Sequence, residues 1–287
     1  MKKFAVIDIG SNSVRLMIVA DGKVLYKTLN TTRLGEGIAH TSTLNVAAIE
    51  RTANAVASFY QKAKQEGAES IYAFATAAVR SAVNGQDFVC TVRKLCDLEV
   101  EIVSGEEEAL LGITGALGVE DGMLIDVGGA STELVVQSKG ELLYKKSINV
   151  GIVRLKDECG NDKKLLRKVA EERANEFLDA PKGYKAYAIG GTATTLGALS
   201  LKLTEYDPLR ITGAEITIEQ LDALTDKLLS MPAQEIAKLP CVSKGREDVL
   251  SGGAVWLSTL LHALGVTSFI VSDRDNLEGY AIKKGIL

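Results

Sequence analysis

Histidine is scarce in this chain, whose 287 residues include only His40 and His262. Two histidines are too few for a histidine-rich zinc site, and they give little basis for a Ser-His-Asp triad. Cysteine is also rare, and the four cysteines fall at unrelated spacings without a Cys-x-x-Cys pair, which is typical of reduced thiols in a cytoplasmic protein. Any hydrolytic chemistry is consequently expected to rely on carboxylates and a hard metal ion.

Long apolar runs and an excess of basic residues are missing as well. No stretch approaches the roughly 18 uncharged apolar residues that a membrane-spanning helix needs, and the apolar run before Asp8 is too short for a signal peptide. The formal net charge of −4 argues against an electrostatic nucleic-acid binder. We therefore expect a cytoplasmic protein without a membrane or nucleic-acid partner.

An internal repeat is the most informative feature that is present. Residues 4–27 align without a gap on residues 122–145, with nine identities in the 24 positions. Each copy has the pattern of a buried strand, an Asp-aliphatic-Gly turn with small hydroxylated residues, a second strand and a glycine-containing hairpin turn. A repeat of this length implies a repeated fold unit. We predict two domains, residues 1–119 and 120–287, that meet near residues 118–122.

Strand and helix patterns alternate after each repeated segment. Helical periodicity covers residues 45–65, 87–96, 106–117, 162–178, 218–229 and 249–264. Strand patterns lie between these helices, so parallel strands are expected to follow each antiparallel meander. The sequence therefore predicts an α/β fold.

The turn that ends the first repeated strand has the composition of a phosphate site. It reads Asp8-Ile9-Gly10-Ser11-Asn12-Ser13. A glycine lets the backbone approach a ligand, the Ser and Asn side chains with successive N–H groups form an anion nest, and an aspartate can hold Mg²⁺. A single turn of this kind is about as often an Asx-type turn. The second copy, Asp126-Val127-Gly128-Gly129-Ala130-Ser131-Thr132-Glu133, favours two phosphate loops that face one cleft.

A third glycine pair precedes a predicted helix in the sequence Gly190-Gly191-Thr192. Backbone amides at such a helix N-terminus can receive an anion or a nucleoside. An equally good interpretation is a glycine bend with Thr192 as the helix N-cap.

Three consecutive glutamates, Glu106, Glu107 and Glu108, open a predicted helix after Ser104. Capping and the positive helix N-terminus explain part of this run, but three carboxylates exceed that need. A carboxylate that faces two phosphate loops is a natural general base for water. Helix geometry allows at most two of the three to face a cleft and does not choose among them.

Arg80 and Arg33 lie among small or apolar residues. An arginine in such surroundings is costly unless it is paired, and phosphate oxygens are its preferred bidentate partners. For both residues a structural salt bridge remains an equal alternative.

Taken together, these residues resemble the exopolyphosphatase/guanosine pentaphosphate phosphohydrolase family in its short two-domain form, a branch of the actin, sugar-kinase and heat-shock ATPase superfamily. The segments that carry the resemblance follow the family's order: DIGSNSVRL, TRLGEGI, ATAAVRSAVN, IVSGEEEA, IDVGGASTEL, VGIVRL, AIGGTATTL and REDVLSGG. The resemblance implies two ribonuclease-H-like domains around a cleft, each with a mixed five-stranded sheet and flanking helices. It also implies Mg²⁺-dependent removal of the terminal phosphate from polyphosphate or pppGpp.

The resemblance further implies a role for each site residue. Glu108 would activate the attacking water, and Arg80 with Arg33 would neutralise charge on the transferred phosphoryl group. Asp126 and Asp8 would hold Mg²⁺. The phosphate chain would be cradled by Gly10, Ser11, Asn12, Ser13, Gly128, Gly129, Ala130, Ser131, Glu133, Gly191 and Thr192.

Two departures from the family pattern motivate an alternative function. Ala130 replaces a glycine, and its methyl group would crowd the anion if this position required a positive φ. Residues 272–279 read SDRDNLEG, where the family has a pattern close to SD-x-GLREG.

The alternative function is a non-catalytic sensor that binds polyphosphate or guanosine penta- or tetraphosphate, and a small-molecule kinase is a third option. The sequence does not identify the preferred substrate or the oligomeric state, and a homodimer is one option.

Overall fold

The computed structural model describes residues 2–287 and folds them into two mixed sheets with flanking helices. The strands are β1 (Lys3–Ile9), β2 (Ser13–Ala20), β3 (Lys23–Thr31), β4 (Ala68–Ala75), β5 (Val100–Ile102), β6 (Gly122–Val127), β7 (Thr132–Ser138), β8 (Glu141–Ile148), β9 (Ala186–Ile189), β10 (Glu215–Thr217) and β11 (Ser268–Val271). The helices are α1 (Ile38–Thr41), α2 (Val46–Gln65), α3 (Ala77–Ser81), α4 (Gly85–Cys96), α5 (Gly105–Ala116), α6 (Ile152–Cys159), α7 (Lys163–Ala174), α8 (Gly190–Ser200), α9 (Pro208–Ile211), α10 (Ile218–Ser230), α11 (Ala233–Ile236), α12 (Leu250–Leu264) and α13 (Asn276–Lys283). Within these residues, the longest apolar helices still fall short of what a membrane crossing requires.

Both sheets are built on the same plan. In the first, the strand order is β3-β2-β1-β4-β5; β1 to β3 form an antiparallel meander, and β4 and β5 run parallel to β1. In the second, the order is β10-β11-β9-β6-β7-β8, with β6 to β8 as the meander and β9 and β11 parallel to β6. The predicted fold class is thus confirmed. The second sheet has one strand more than expected, because the three residues of β10 are too few to produce a recognisable alternation in the sequence.

The internal repeat is reproduced by the backbone hydrogen bonds of the two turns. The Gly10 N–H donates to the Ser13 carbonyl oxygen at 3.0 Å, and the Gly128 N–H donates to the Ser131 carbonyl oxygen at 3.0 Å. The two meanders also shift register at equivalent positions of their middle strands. One fold unit is therefore used twice, and each copy carries its aspartate turn at the same end of its meander.

Apolar side chains fill each half of the molecule. The cluster beneath the first sheet includes Phe88 of α4 and Val56 of α2. The larger cluster beneath the second sheet includes Trp256 of α12, whose indole N–H donates to the Thr132 hydroxyl at 2.8 Å. This hydrogen bond satisfies the polar atom of a fully buried aromatic residue, which would otherwise destabilise the core.

The last helix, α13, follows the second sheet in the chain but packs against the first. Leu277 and Tyr280 share an apolar cluster with Val6 and Phe74 of the first sheet, and the rings of Tyr280 and Phe74 stack with centroids 4.5 Å apart. This helix ties the two halves together. The division of the chain into domains at residue 119 stays a prediction.

Helices α5 and α13 come close together because each presents a glycine to the other's backbone. A Cβ on Gly115 would overlap the Asp275 carbonyl group, and a Cβ on Gly279 would overlap the Leu111 carbonyl group. No side chain fits at either position, since both obstacles are main-chain atoms. The contact fixes the relative position of two helices whose first turns both reach the candidate site described below.

The substitution Gly115→Ala is expected to lower the free energy of unfolding by about 1–3 kcal/mol, because the added methyl group forces the two helices apart. The matched control is Gly252→Ala in α12, where a Cβ would meet no atom within 4 Å and a gain of up to about 1 kcal/mol is expected. Chemical denaturation of the two variants measures the difference. Equal stability of Gly115→Ala and the unsubstituted protein would contradict the helix contact.

Candidate active site

The two repeated turns face each other in direct contact. A Cβ on Gly129 would lie 2.8 Å from the Cβ of Ser11 and 3.1 Å from the backbone nitrogen of Asn12. The missing side chain at Gly129 therefore lets the loops meet. The side chains of Ser11, Asn12, Ser13 and Ser131 are all buried at this junction. The structure brings together the two loops that the sequence identified separately.

The third loop joins the other two at Asp126. Gly190 has a φ of +83°, and a Cβ there would lie 2.7 Å from the Asp126 Oδ1 atom, so glycine is required both for its conformation and for space. Thr192 is buried against α12, where a Cβ on Gly253 would lie 2.8 Å from the threonine Oγ1 atom. Gly253 therefore allows α12 to pack closely on this loop.

Four predicted or candidate carboxylates are buried around these loops: Asp8 in β1, Asp126 in β6, Glu133 in β7 and Glu108 in the first turn of α5. Strand pairing places Asp8 opposite Arg15 and Asp126 opposite Glu133. Equivalent positions of the repeat therefore differ in charge. Asp8 has a cationic neighbour, whereas Asp126 has a second carboxylate.

Burial and mutual repulsion raise the pKa values of this group. Burial raises the pKa of Glu108 to about 7, with added repulsion from Asp126 and Asp8, although Arg80 opposes the shift. Burial raises the pKa of Asp126 to about 6. The pKa of Glu133 is raised well above its usual range by burial and by the charges of Glu108 and Asp126. The cluster thus carries more negative charge than its arginines neutralise, and a bound cation would relieve it.

The structure separates the three consecutive glutamates by their surroundings. Glu107 completes a capping box with Ser104 at the start of α5. Glu106 is exposed and pairs with Lys145 at 2.9 Å. Only Glu108 is buried, with 6% of its surface exposed. Tertiary structure therefore makes the choice that helix geometry left open.

The two predicted arginines have different partners. Arg80, in the last turn of α3, donates to the Glu108 Oε2 atom at 2.8 Å. Arg33 donates to the Asp248 Oδ1 atom at 2.6 Å and to the Gly245 carbonyl oxygen at 3.3 Å. Arg80 therefore lies at the carboxylate cluster. Arg33 forms the structural ion pair that was the alternative to a phosphate contact.

Oxygen atoms that fit a magnesium ion are present at the cluster. One carboxylate oxygen each of Asp8 and Glu133 is buried without a hydrogen-bond partner in the described structure. Across residues 2–287 no three His, Cys, Asp or Glu side chains form a complete metal cage. Mg²⁺ normally needs only one or two carboxylates, because waters and substrate phosphates supply its other ligands. The residues at hand fit that mode of binding.

Arg246 is a residue of this site that the sequence reasoning missed. Its guanidinium group lies against the third loop, where a Cβ on Gly191 would overlap it. Burial and the nearby Arg15 lower the pKa of Arg246 to about 10, and no carboxylate of residues 2–287 lies within ion-pair distance of it. The REDVLSGG segment contains this arginine, but nothing in the segment indicates which loop the side chain reaches.

The atypical segment 272–279 also contributes to the site. The Asn276 side-chain amide donates to the Asp126 Oδ2 atom at 3.0 Å. Asp275 forms an ion pair with Arg15, which also pairs with Asp8. These interactions link the start of α13 to an aspartate of each sheet. The departure from the family pattern thus supplies new side chains to the cluster.

Ala130 does not introduce strain into the second loop. Ala130 does not have a positive φ, so its backbone conformation suits an ordinary L-residue. Its carbonyl oxygen accepts a hydrogen bond from Arg154 Nε at 2.9 Å. The condition under which the methyl group was expected to crowd an anion is therefore not met.

Two related mixed sheets, joined at glycine loops and buried carboxylates, define an α/β protein in which one fold unit is used twice. The model of the Ppx/GppA phosphatase family matches residues 16–285, and the chain belongs to that family. It is 30% identical to exopolyphosphatase 2 of Mycobacterium tuberculosis, with 98% of each chain covered. It is 26% identical to the guanosine-5'-triphosphate,3'-diphosphate pyrophosphatase of Aeromonas hydrophila, with 99% of this chain and 58% of that protein covered. The crystal structure of the Aquifex aeolicus Ppx/GppA family member has a TM-score of 0.79 and 28% identity, covering 99% of this chain and 97% of that chain.

The stability of the protein is expected to fall as pH rises from about 5 to 8 without Mg²⁺. Because the pKa of Glu108 is raised from 4.5 to about 7 in the folded protein, the folded state binds more protons than the unfolded chain within this window. The Glu108→Gln substitution removes the ionisable carboxyl group. It is therefore expected to exceed the unsubstituted protein in unfolding free energy by about 2–3 kcal/mol at pH 8 and to match it near pH 5.

Urea denaturation at several pH values measures this difference, with Glu106→Gln as the control at an exposed position. A difference between Glu108→Gln and the unsubstituted protein that stays constant from pH 5 to 8 would show that the pKa of Glu108 is not raised.

Proposed function

We propose that this chain is a Mg²⁺-dependent phosphohydrolase that removes the terminal phosphate from inorganic polyphosphate or from pppGpp, with Glu108 as the general base. The observation that carries the proposal is the buried Glu108 carboxylate, held by Arg80 at 2.8 Å beside loops that touch across the cleft. Membership of the Ppx/GppA phosphatase family supports the reaction class. The relatives include an exopolyphosphatase and a guanosine-5'-triphosphate,3'-diphosphate pyrophosphatase, and the proposal therefore keeps both substrates.

The proposed reaction uses water as the nucleophile. Arg80 engages one oxygen of Glu108, and the other oxygen makes no hydrogen bond to any of residues 2–287, so it is available to a water molecule. Glu108 accepts a proton from that water as its oxygen attacks the terminal phosphorus. The bond to the bridging oxygen breaks, which releases phosphate and a chain shorter by one unit. A pKa of about 7 suits a base that works near neutral pH.

The remaining residues of the site bind and orient the substrate in this proposal. Backbone N–H groups and hydroxyls of the two contacting loops hold the phosphate chain. Asp126 and Asp8 would hold Mg²⁺ together with waters and substrate phosphates, and the ion would supply positive charge to the phosphate oxygens. Asn276 keeps the Asp126 carboxylate in one orientation through its amide. Arg80 both positions Glu108 and adds positive charge near the attacking water.

The features that motivated a non-catalytic sensor do not disturb this arrangement. Ala130 has an unstrained backbone, and the 272–279 segment adds Asn276 to the Asp126 carboxylate. Neither removes a residue to which the proposed reaction gives a role. The observations therefore favour an enzyme over a sensor.

Phosphate release from polyphosphates of graded length and from pppGpp, with and without Mg²⁺, tests the proposed function. Glu108→Gln is expected to lower kcat by roughly 10²–10⁴-fold, because it removes the general base while it keeps the side-chain shape. Glu106→Gln is the matched control and should retain activity. Release of phosphate from neither substrate, or full activity of Glu108→Gln, would contradict the proposal.

Arg246→Met is expected to lower kcat/KM by roughly 10–100-fold, because a charge-assisted hydrogen bond to phosphate contributes about 1.5–3 kcal/mol. Arg167→Met is the control, since Arg167 is exposed and paired with Asp226. Steady-state kinetics at fixed ionic strength compares the two. Similar kcat/KM values for both variants would show that Arg246 does not contact the substrate.

A further inference from the structure

Arg154 spans the cleft beside the second loop. It lies in α6, and its Nε atom donates to the Ala130 carbonyl oxygen at 2.9 Å. Its Nη2 atom donates to the Ser81 hydroxyl at 2.9 Å. Ala130 belongs to the second phosphate loop, and Ser81 ends α3 on the other side. The guanidinium group is therefore fixed between the two halves of the molecule, next to the phosphate loops.

The positive charge of Arg154 is not neutralised by a carboxylate in the described structure. None of the acidic side chains of residues 2–287 comes within 4.0 Å of it. Burial lowers the pKa of Arg154, Asp157 opposes this effect from a greater distance, and Arg80 adds repulsion. A half-buried arginine without an anionic partner costs free energy, so the position favours an anionic ligand.

Arg80 precedes Ser81 in the chain, and its positive charge repels that of Arg154. Arg80 is paired with Glu108, so of these two guanidinium groups only that of Arg154 lacks an internal counter-charge. Arginine has five N–H donors in a planar fork, and Ala130 and Ser81 use two of them. The three remaining donors are available to oxygen atoms of a phosphate group, the preferred bidentate partner of arginine.

We propose that Arg154 binds a phosphate group of the substrate between the second loop and α3. This inference rests on the proposed function, since it assigns a phosphate subsite to the same cleft. The ligand class is a linear phosphate chain, of which the two loops hold one part and Arg154 engages a further phosphate group. Arg154 holds the substrate before and during the reaction and takes no part in proton transfer.

Calorimetry at several salt concentrations measures the binding of inorganic tripolyphosphate and so tests this subsite. The Glu108→Gln protein is used for this measurement, so that the ligand is not hydrolysed. Arg154→Met in that background is expected to raise Kd by roughly tenfold or more and to weaken the salt dependence of binding. In the otherwise unsubstituted protein, the same change should raise KM more than it lowers kcat. Arg154→Lys keeps the charge without the fork and should give an intermediate Kd.

Ser81→Ala is the matched control, because it removes the hydrogen bond across the cleft and leaves the guanidinium group in place. It should bind tripolyphosphate nearly as well as the Glu108→Gln parent. If Ser81→Ala and Arg154→Met weaken binding equally, Arg154 acts only as a bridge and the proposal fails. Unchanged Kd and KM in Arg154→Met would also overturn it.

The subsite and the proposed function can fail separately. Tripolyphosphate binding that depends on Arg154, without phosphate release from any substrate, would support the subsite and reject the hydrolytic function. Normal hydrolysis with an unchanged KM in Arg154→Met would support the function and reject the subsite.

Discussion

The burial of several carboxylates in one cleft is the constraint on which the rest of this site depends. Asp8, Asp126, Glu108 and Glu133 are all nearly inaccessible to solvent, and ionised carboxylates in such surroundings must be paired or must hold a proton. Arg15 and Arg80 neutralise part of the charge. The charge that remains destabilises the fold, and a cation bound at the cluster would relieve it.

Close approach of the backbone is what brings these charges together. The loops meet because Gly129 has no side chain to separate them, and Gly190 leaves room for Asp126. Helices α5 and α13 touch through Gly115 and Gly279, which sets the positions of their first turns. A glycine in a helix costs conformational entropy. Here that cost is offset by a contact that holds two helices from different parts of the chain at the same cluster.

The two copies of the repeat share the geometry of their turns but differ in the charge beside the aspartate. The hydrogen bond that closes the first turn is matched in the second, but the strand position opposite the aspartate is Arg15 in one copy and Glu133 in the other. The aspartate of the first copy therefore faces a positive charge, whereas the aspartate of the second copy faces another carboxylate. The segment 272–279 completes this asymmetry, because Asp275 pairs with Arg15 and Asn276 donates to the Asp126 carboxylate. Residues that depart from the family pattern are therefore part of the cluster itself.

The sequence by itself determined the repeated unit, the two aspartate turns, the helices near residues 45–65 and 106–117, and the family. These features depend on local periodicity, turn chemistry and residue order, which neighbouring residues specify. Only the tertiary structure decided that Glu108 is the buried glutamate, that Arg33 pairs with Asp248, and that Arg246 and Asn276 belong to the site. Each of these contacts joins residues far apart in the chain, and the packing of the two sheets and the last helix sets the distances between them.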